Sequence, residues 1–359
     1  MPYSTFASTI PIIPWGIDNM YPNRILDAIK KSPTALGCVK RQSEFIFGNG
    51  ILNGGDIVVN RDGETLNDIL FQCVRHGYSP LYGYGLHFNF NIFGKISEVF
   101  FVNPETVRKN RELTKAVIGL WSVQSGMFLT NKYIYVDLYG ANDPLDGISI
   151  QGINGYRGQI KFFSRDLEIY PTSPIDSAAI SASYEKETQV YQYANIMNGF
   201  SATNIIKMPT MLAGDHAKAE ANKMQDDLDS LHGSGNAGKS LVVTQPMSSS
   251  GEMKDYKMVE SLQPVNVDNL FTNQNKKSEQ DILKVYTMPM ELLAIQQNNG
   301  FSDTAFDAAW NMKNADCEFD RKLIERDFNK WLPNSIFGID SIQLDPLKPR
   351  VTSPTAKTF

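Results

Sequence analysis

Residues 233–240 read Gly-Ser-Gly-Asn-Ala-Gly-Lys-Ser and match G-x-x-x-x-G-K-[ST] at every position. A loop of this type holds nucleotide phosphates only when a strand enters it and a helix leaves it, because the loop amides and the helix N-terminus must both point at the anion. Here the flanks run the other way. Residues 215–231 are rich in Ala, Lys and Asp and read as a helix, whereas Leu241-Val242-Val243-Thr244 is β-branched and reads as a strand. No apolar strand ending in Asp comes after it to hold magnesium. The segment Gly235, Asn236, Ala237, Gly238, Lys239 is therefore expected to be a tight turn in which glycine supplies positive φ. A P-loop NTPase using Lys239 and Ser240 is the alternative.

Other chemistry is sparse. Cys73 and His76 fall on one helix with no second pair to complete a zinc site. His87, His216 and His232 are scattered, there is no Gly-x-Ser-x-Gly elbow, and Gly48-Asn49-Gly50 follows a helix where a dinucleotide fingerprint follows a strand. The expectation is a protein without catalytic residues, metal or cofactor. Cys38, Cys73 and Cys317 are odd in number and far apart, as befits reduced, buried thiols of a chain folded in the cytoplasm. No run approaches the roughly 18–20 apolar residues of a membrane helix, and the first residues lack the charge and apolar pattern of a signal peptide. With 34 Lys and Arg against 39 Asp and Glu, net charge is −5. Proteins that grip DNA through its phosphates are usually basic, so either DNA is irrelevant to this chain or DNA must pass it without sticking.

The order of elements is more informative. Short helices are expected over 22–29 and over 33–47, the second started by Ser32-Pro33 and stopped at Gly48. Leu66, Ile69, Leu70, Cys73 and Val74 follow the spacing of a half-buried helix. The period then becomes two. Leu86, Phe88, Phe90 and Ile92 alternate with His87, Asn89 and Asn91, Phe93-Gly94-Lys95 turns, and strands return over 96–102, 117–123, 133–138 and 159–163. This predicts an α+β domain with an antiparallel sheet. After Tyr170-Pro171 come a helix to Asn198, a strand–helix–strand insert over 204–244, a helix over 267–286, a polar loop, and one long helix from Asp303 to Trp331.

Several segments of the second half resemble, in the same order, the portal proteins of tailed bacteriophages. They are Tyr170-Pro171, Tyr191-Gln192-Tyr193-Ala194-Asn195-Ile196-Met197-Asn198-Gly199-Phe200, Thr203-Asn204-Ile205-Ile206-Lys207-Met208-Pro209, Gly235-Asn236-Ala237-Gly238-Lys239 before Leu241-Val242-Val243, and Asp281-Ile282-Leu283-Lys284-Val285-Tyr286-Thr287-Met288-Pro289. The resemblance spans about residues 165–331. It implies a phage-portal-like α+β fold with an antiparallel-sheet wing domain (1–174), a stem helix (175–199), a small α/β clip (200–260), a second stem helix (261–288), a tunnel loop (289–302) and a long tunnel or wing helix (303–332). With the tail at 333–359, the resemblance leads to the expectation of no sizeable crown. It further implies a structural subunit, twelve to a closed ring, at the capsid vertex of a virion assembled in the host cytoplasm. Through that ring double-stranded DNA would be packaged and ejected. The implied partners are the terminase motor, neck or adaptor proteins, the major capsid or scaffold protein, and DNA contacted non-specifically, with no membrane. Another phage head or neck scaffold protein is a further alternative.

Two features bear on a DNA conduit. At about 100° per residue, Asp303, Asp307, Glu318 and Glu325 fall within a stripe of about 60° on the last helix, beside an apolar stripe of Phe306, Trp310, Ile324, Phe328 and Trp331. The acidic stripe would either line the channel and repel phosphate or be an ordinary solvated face. Gln296, Gln297, Asn298, Asn299 and Gly300 are uncharged and would touch DNA without holding it. A head-to-tail ring contact should bury roughly 2,000 Å² or more, with helices 175–199 and 303–331 expected to supply it. Trp15 and Tyr21 read as core or subunit-contact anchors.

Overall fold

Ser32 starts one helix and Gly48 ends it, each for a local reason. The Ser32 hydroxyl accepts from the Ala35 amide at 3.0 Å, and Pro33 sits in the first turn, where its missing N–H costs nothing. Gly48 has φ +63°, and a side chain there would collide with the carbonyl of Asp345. The result is α2 (Pro33–Phe47), preceded by α1 (Tyr21–Lys31). Thr65 and Asp68 form a reciprocal capping box at the head of α3 (Leu66–Gln72). The apolar spacing expected there is realised, since Leu66, Ile69, Leu70, Cys73 and Val74 are all fully buried. The helix then widens into a π-helical segment (Cys73–Tyr78) and closes with the single turn α4 (Ser79–Leu81).

The computed structural model describes residues 11–121, 133–198, 204–210, 241–246, 259–261, 268–293 and 303–350. They form two units, Met1–Ser183 with Ser278–Phe359, and Tyr184–Lys277.

In the first unit, β1 (Gly83–Phe90) shows the expected alternation: Tyr84, Leu86 and Phe88 are fully buried, whereas His87 and Asn89 are half-exposed. Ile92 breaks the pattern. The register slips between Asn89 and Phe90, and the Asn91 side chain folds the turn by accepting from the amides of Phe93 and Lys95, so Ile92 ends up exposed. The other strands are β2 (Ile96–Val102), β3 (Val107–Lys109), β4 (Lys115–Ile118), β5 (Ile134–Leu138) and β6 (Gln159–Ser164).

The sheet order is β2-β1-β6-β5-β4-β3. It is mixed, which corrects the antiparallel expectation, because β5 pairs parallel with β6 while the remaining neighbours are antiparallel. A parallel pair needs a crossover of a dozen or more residues. Residues 139–158 provide it and contain α5 (Pro144–Gln151), a short helix that the sequence pattern did not announce.

After a 3₁₀ turn (Pro174–Ala178) comes α6 (Ala179–Asn198). The second unit contains a three-stranded sheet, β7 (Asn204–Thr210) between β8 (Leu241–Pro246) and β9 (Val259–Ser261). β8 is parallel and β9 antiparallel to it. The boundary between the units falls within α6 and within α7 (Asp268–Val285).

The expected single helix over 303–331 is two helices, α8 (Asp303–Asp316) and α9 (Glu318–Phe328). The interruption at Cys317 has a visible cause. Arg321 donates to the carbonyl of Asn314 at 2.6 Å, the acceptor that the Glu318 amide would use in an unbroken α-helix. A side chain inserted into the ladder in this way breaks its regularity.

One apolar cluster joins α1, α2, α3 and α9 to the inward face of β1, with Trp331 packed on Phe88 at 5.1 Å and on Phe328 at 5.4 Å. Charged groups are buried beside it. Tyr78 donates to Asp320 at 2.7 Å and Arg165 does so at 3.2 Å; Tyr84 donates to Asp327 at 2.8 Å, and Lys161 forms a close ion pair with the same carboxylate. Removing one member of such a pair leaves the other uncompensated in a poor solvent, which costs about 3–5 kcal/mol. Asp327→Ala should lower the unfolding free energy by about that amount in urea denaturation. Lys322→Ala, which removes the exposed partner of Glu318, should leave the unfolding midpoint where it was.

Candidate functional site

Among the described residues, no helix is long and apolar enough to cross a membrane, and no group of three or more His, Cys, Asp or Glu could hold a metal ion. Cys38, Cys73 and Cys317 are buried and unpaired with each other. Burial pushes the Cys317 thiol up to about 12 and the Cys73 thiol well above its ordinary value, which makes both poor nucleophiles. His76 is exposed on the π-helical segment.

Gly235, Asn236, Ala237, Gly238 and Lys239 lie outside the described residues, but the strand after them is described. Leu241 begins β8 directly after Ser240 and pairs parallel with Ile205. A strand presents no helix N-terminus to a triphosphate. That removes the structural context a P-loop requires.

Gln296, Gln297, Asn298, Asn299 and Gly300, expected to form a tunnel loop, also lie outside the described residues. They fall between a 3₁₀ turn (Met290–Leu293) and α8. Of the acidic stripe, Asp303 is the first residue of α8 and Asp307 is half-buried further along it. Glu318 is exposed at the start of α9 and paired with Lys322 at 2.5 Å, and that partner holds its carboxyl below the usual range. Glu325 has a different occupation, accepting from the Leu344 amide at 2.7 Å.

That contact belongs to a set that straps residues 342–350 along α8 and α9. Asn329 accepts from the Ile342 amide at 2.7 Å, and Asn314 donates to the Leu347 carbonyl at 2.7 Å. Trp310 donates to the Lys348 carbonyl at 3.1 Å, and Asn311 exchanges two bonds with the Arg350 backbone. Arg350 then lies 4.9 Å from the Phe306 ring and 4.7 Å from Trp310. The face of the last helices that carries Phe306 and Trp310 is therefore covered by the chain's own C-terminal segment.

Trp15 and Tyr21 are core groups. Trp15 stacks on Tyr170 at 4.9 Å and on Tyr21 at 6.2 Å. Arg108, fully buried, lies between the rings of Trp15 and Trp121. Its guanidinium donates to the carbonyls of Asn19, Glu105 and Val107 and to the Asn19 side chain. Burial lowers it to about 10. Sequence reasoning missed this group because nothing in the composition of a short strand marks a buried cation.

Next to it, Lys109 lies over the Phe162 ring at 5.0 Å, and burial draws its ammonium down to about 8. It faces a 240 Å³ hollow that Arg326 and Lys330 also line.

No protein-family model matches the chain, and no curated protein does. Among solved structures, the chain is similar to a chain in the neck of a native gene transfer agent particle computed with C12 symmetry (13% identity, TM-score 0.58, covering 92% of this chain and 86% of that one). It is also similar to a chain in the virion of the native particle (12%, 0.55, 90% and 83%) and to one in the neck of the empty particle computed with C6 symmetry (13%, 0.55, 95% and 86%). The fold is thus shared with chains of gene transfer agent particles along most of both lengths.

The Lys109 shift has a consequence for stability. In the folded chain this group loses its proton near pH 8, and in the unfolded chain near 10.5. Between those values the unfolded chain binds more protons, so this group makes stability rise with pH. Urea titrations at pH 7.5, 8.5 and 9.5 should show a rise that Lys109→Met flattens, with the variant the more stable at pH 7.5.

Proposed function

We propose that this chain is the portal subunit of a tailed phage or phage-like particle. It would be a non-enzymatic protein that assembles into a ring, twelve-fold in the particle, through which double-stranded DNA enters and leaves the capsid. One observation carries the reading: the fold matches a chain of a particle neck over more than nine-tenths of this sequence. Three others support it. Among the described residues the order is α6, the three-stranded sheet β7–β9, α7 and the helix pair α8–α9; on this reading they would be stem, clip, second stem and tunnel segment. The net charge of −5 suits a wall that DNA slides past without binding tightly. A strand that starts at Leu241, directly after Ser240, supports reading the glycine-lysine sequence as a clip turn and not as a P-loop.

On this reading Gln296 to Gly300 touch the DNA at the constriction, and Asp303 and Glu318 face the channel. The wing meets capsid or scaffold protein, and the clip meets the packaging motor and later the neck or adaptor proteins.

Negative-stain microscopy of the purified protein should show an annulus with a central hole wide enough for duplex DNA; a uniformly monomeric protein would overturn the proposal. In particles, the double charge reversal Asp303→Lys with Glu318→Lys should reduce the DNA packaged per particle, read as the ratio of filled to empty capsids. An unchanged ratio would remove these two side chains from the channel wall.

A further inference from the structure

The two ends of the β1–β6 pair carry surfaces of opposite character. At one end Phe88 pairs with Gln159, and at the other Gly83 pairs with Ser164. The length of β6 separates them by about 17 Å.

At the first end the β1–β2 turn and α5 make an apolar projection. α5 buries none of its eight residues. Ile150 is 83% exposed and Phe93 75%, and Leu145 packs against the turn at Gly94. Phe93 on the turn and Leu145 and Ile150 on α5 thus expose apolar surface on two adjoining segments, and contiguous apolar surface of this kind is found where proteins meet partners. Asp143 caps this helix and Asp146 lies in its first turn; the helix itself contains no basic residue, with Lys95 and Arg157 flanking it.

The second end is a hollow of 240 Å³ between Lys109, the end of β6 and α9. Lys109, Arg326 and Lys330 face it against Glu168, since the other carboxylate there, Asp327, is taken by Lys161 and Tyr84. Leu323 and the 82% exposed Leu167 give it an apolar rim. Two polar groups in it are short of partners. The buried Ser164 hydroxyl has no hydrogen-bond partner among the described residues, and the Lys109 ammonium rests on an aromatic face. Both would be satisfied by an incoming carboxylate.

The two surfaces complement each other across copies, with the carboxylates of Asp143 and Asp146 and their apolar neighbours at one end and the basic apolar hollow at the other. A head-to-tail contact uses two such unlike patches, and in a ring it repeats from each copy to the next. We infer that the hollow receives the first turn of α5 from a second copy of this chain. Asp146 then lies against Lys109, Arg326 and Lys330, and Leu145 and Ile150 lie against Leu167 and Leu323. This contact rests on the ring reading above and supplies it with a specific wing-to-wing joint.

The test uses the full chain and measures assembly by sedimentation velocity, with thermal melting to show that each variant is folded. Arg326→Glu and Asp146→Lys should each weaken assembly by at least about tenfold, and the double variant should regain it. In rings carrying Ile150→Cys with Leu167→Cys, mild oxidation should give a ladder of covalent multimers that neither single variant gives, because the three native cysteines are buried. Assembly unaffected by the reversals, failure of the double variant to recover, or absence of the ladder in rings that do form would each overturn the joint and leave the ring reading standing. A wild-type protein that never assembles overturns both. If millimolar inorganic phosphate raises the melting temperature in an Arg326-dependent way while the reversals leave assembly intact, the hollow is a small-anion site and the joint is wrong.

Discussion

Asp320 and Asp327 lie on the same face of α9 as Ile324 and Phe328, and all four are buried. A carboxylate in that position is tolerable only with complete compensation. The compensation comes from Tyr78 on the π-helical segment, Tyr84 on β1, Lys161 on β6 and Arg165 just beyond it. Each is positioned by an element of the N-terminal half, so the last helices are tied to the sheet at fixed depth and rotation. Buried ion pairs contribute little net stability, but they penalise any packing that leaves one member alone.

That tie also determines what the last helices can offer. With one face held on the sheet and another covered by residues 342–350, the side chains left outward include Glu318, Phe319 and Met312. Glu325, which simple helical geometry groups with Glu318, is used to hold the C-terminal strap. An acidic surface facing a DNA channel would then be formed by fewer carboxylates per subunit than the periodicity implies. On the proposed ring reading, repetition of these side chains around the axis would still make a negative collar.

On the proposed reading the protein is a conduit, which has to be rigid around its axis and must not retain what passes. Rigidity fits the polar anchoring of α9 and the aromatic packing of Trp15, Tyr21, Tyr170 and Trp331. Weak retention fits the absence of a basic excess in the composition. The local concentration of cations at Lys109, Arg326 and Lys330 stands out against that acidic background, and protein carboxylates from a neighbour suit it as well as any phosphate does.

Local signals in the sequence determined much of this chain. Ser32-Pro33 and Gly48 bounded α2, the spacing of Leu66 to Val74 placed a buried helical face, the alternation at Leu86, Phe88 and Phe90 placed β1, and the apolar run after Ser240 marked a strand where a P-loop needs a helix. Caps, periods and β-branching act over a few residues, which is why they are legible there. The tertiary structure alone decided the parallel pairing of β5 with β6, the break at Cys317, the burial of Arg108, Asp320 and Asp327, and the diversion of Glu325 to the strap. Each depends on a partner far along the chain: Asp320 on Tyr78, Arg321 on the Phe45 carbonyl, Glu325 on Leu344. Whether a carboxylate on a helix faces water or a buried hydroxyl is settled by what packs against it, and local periodicity has no access to that.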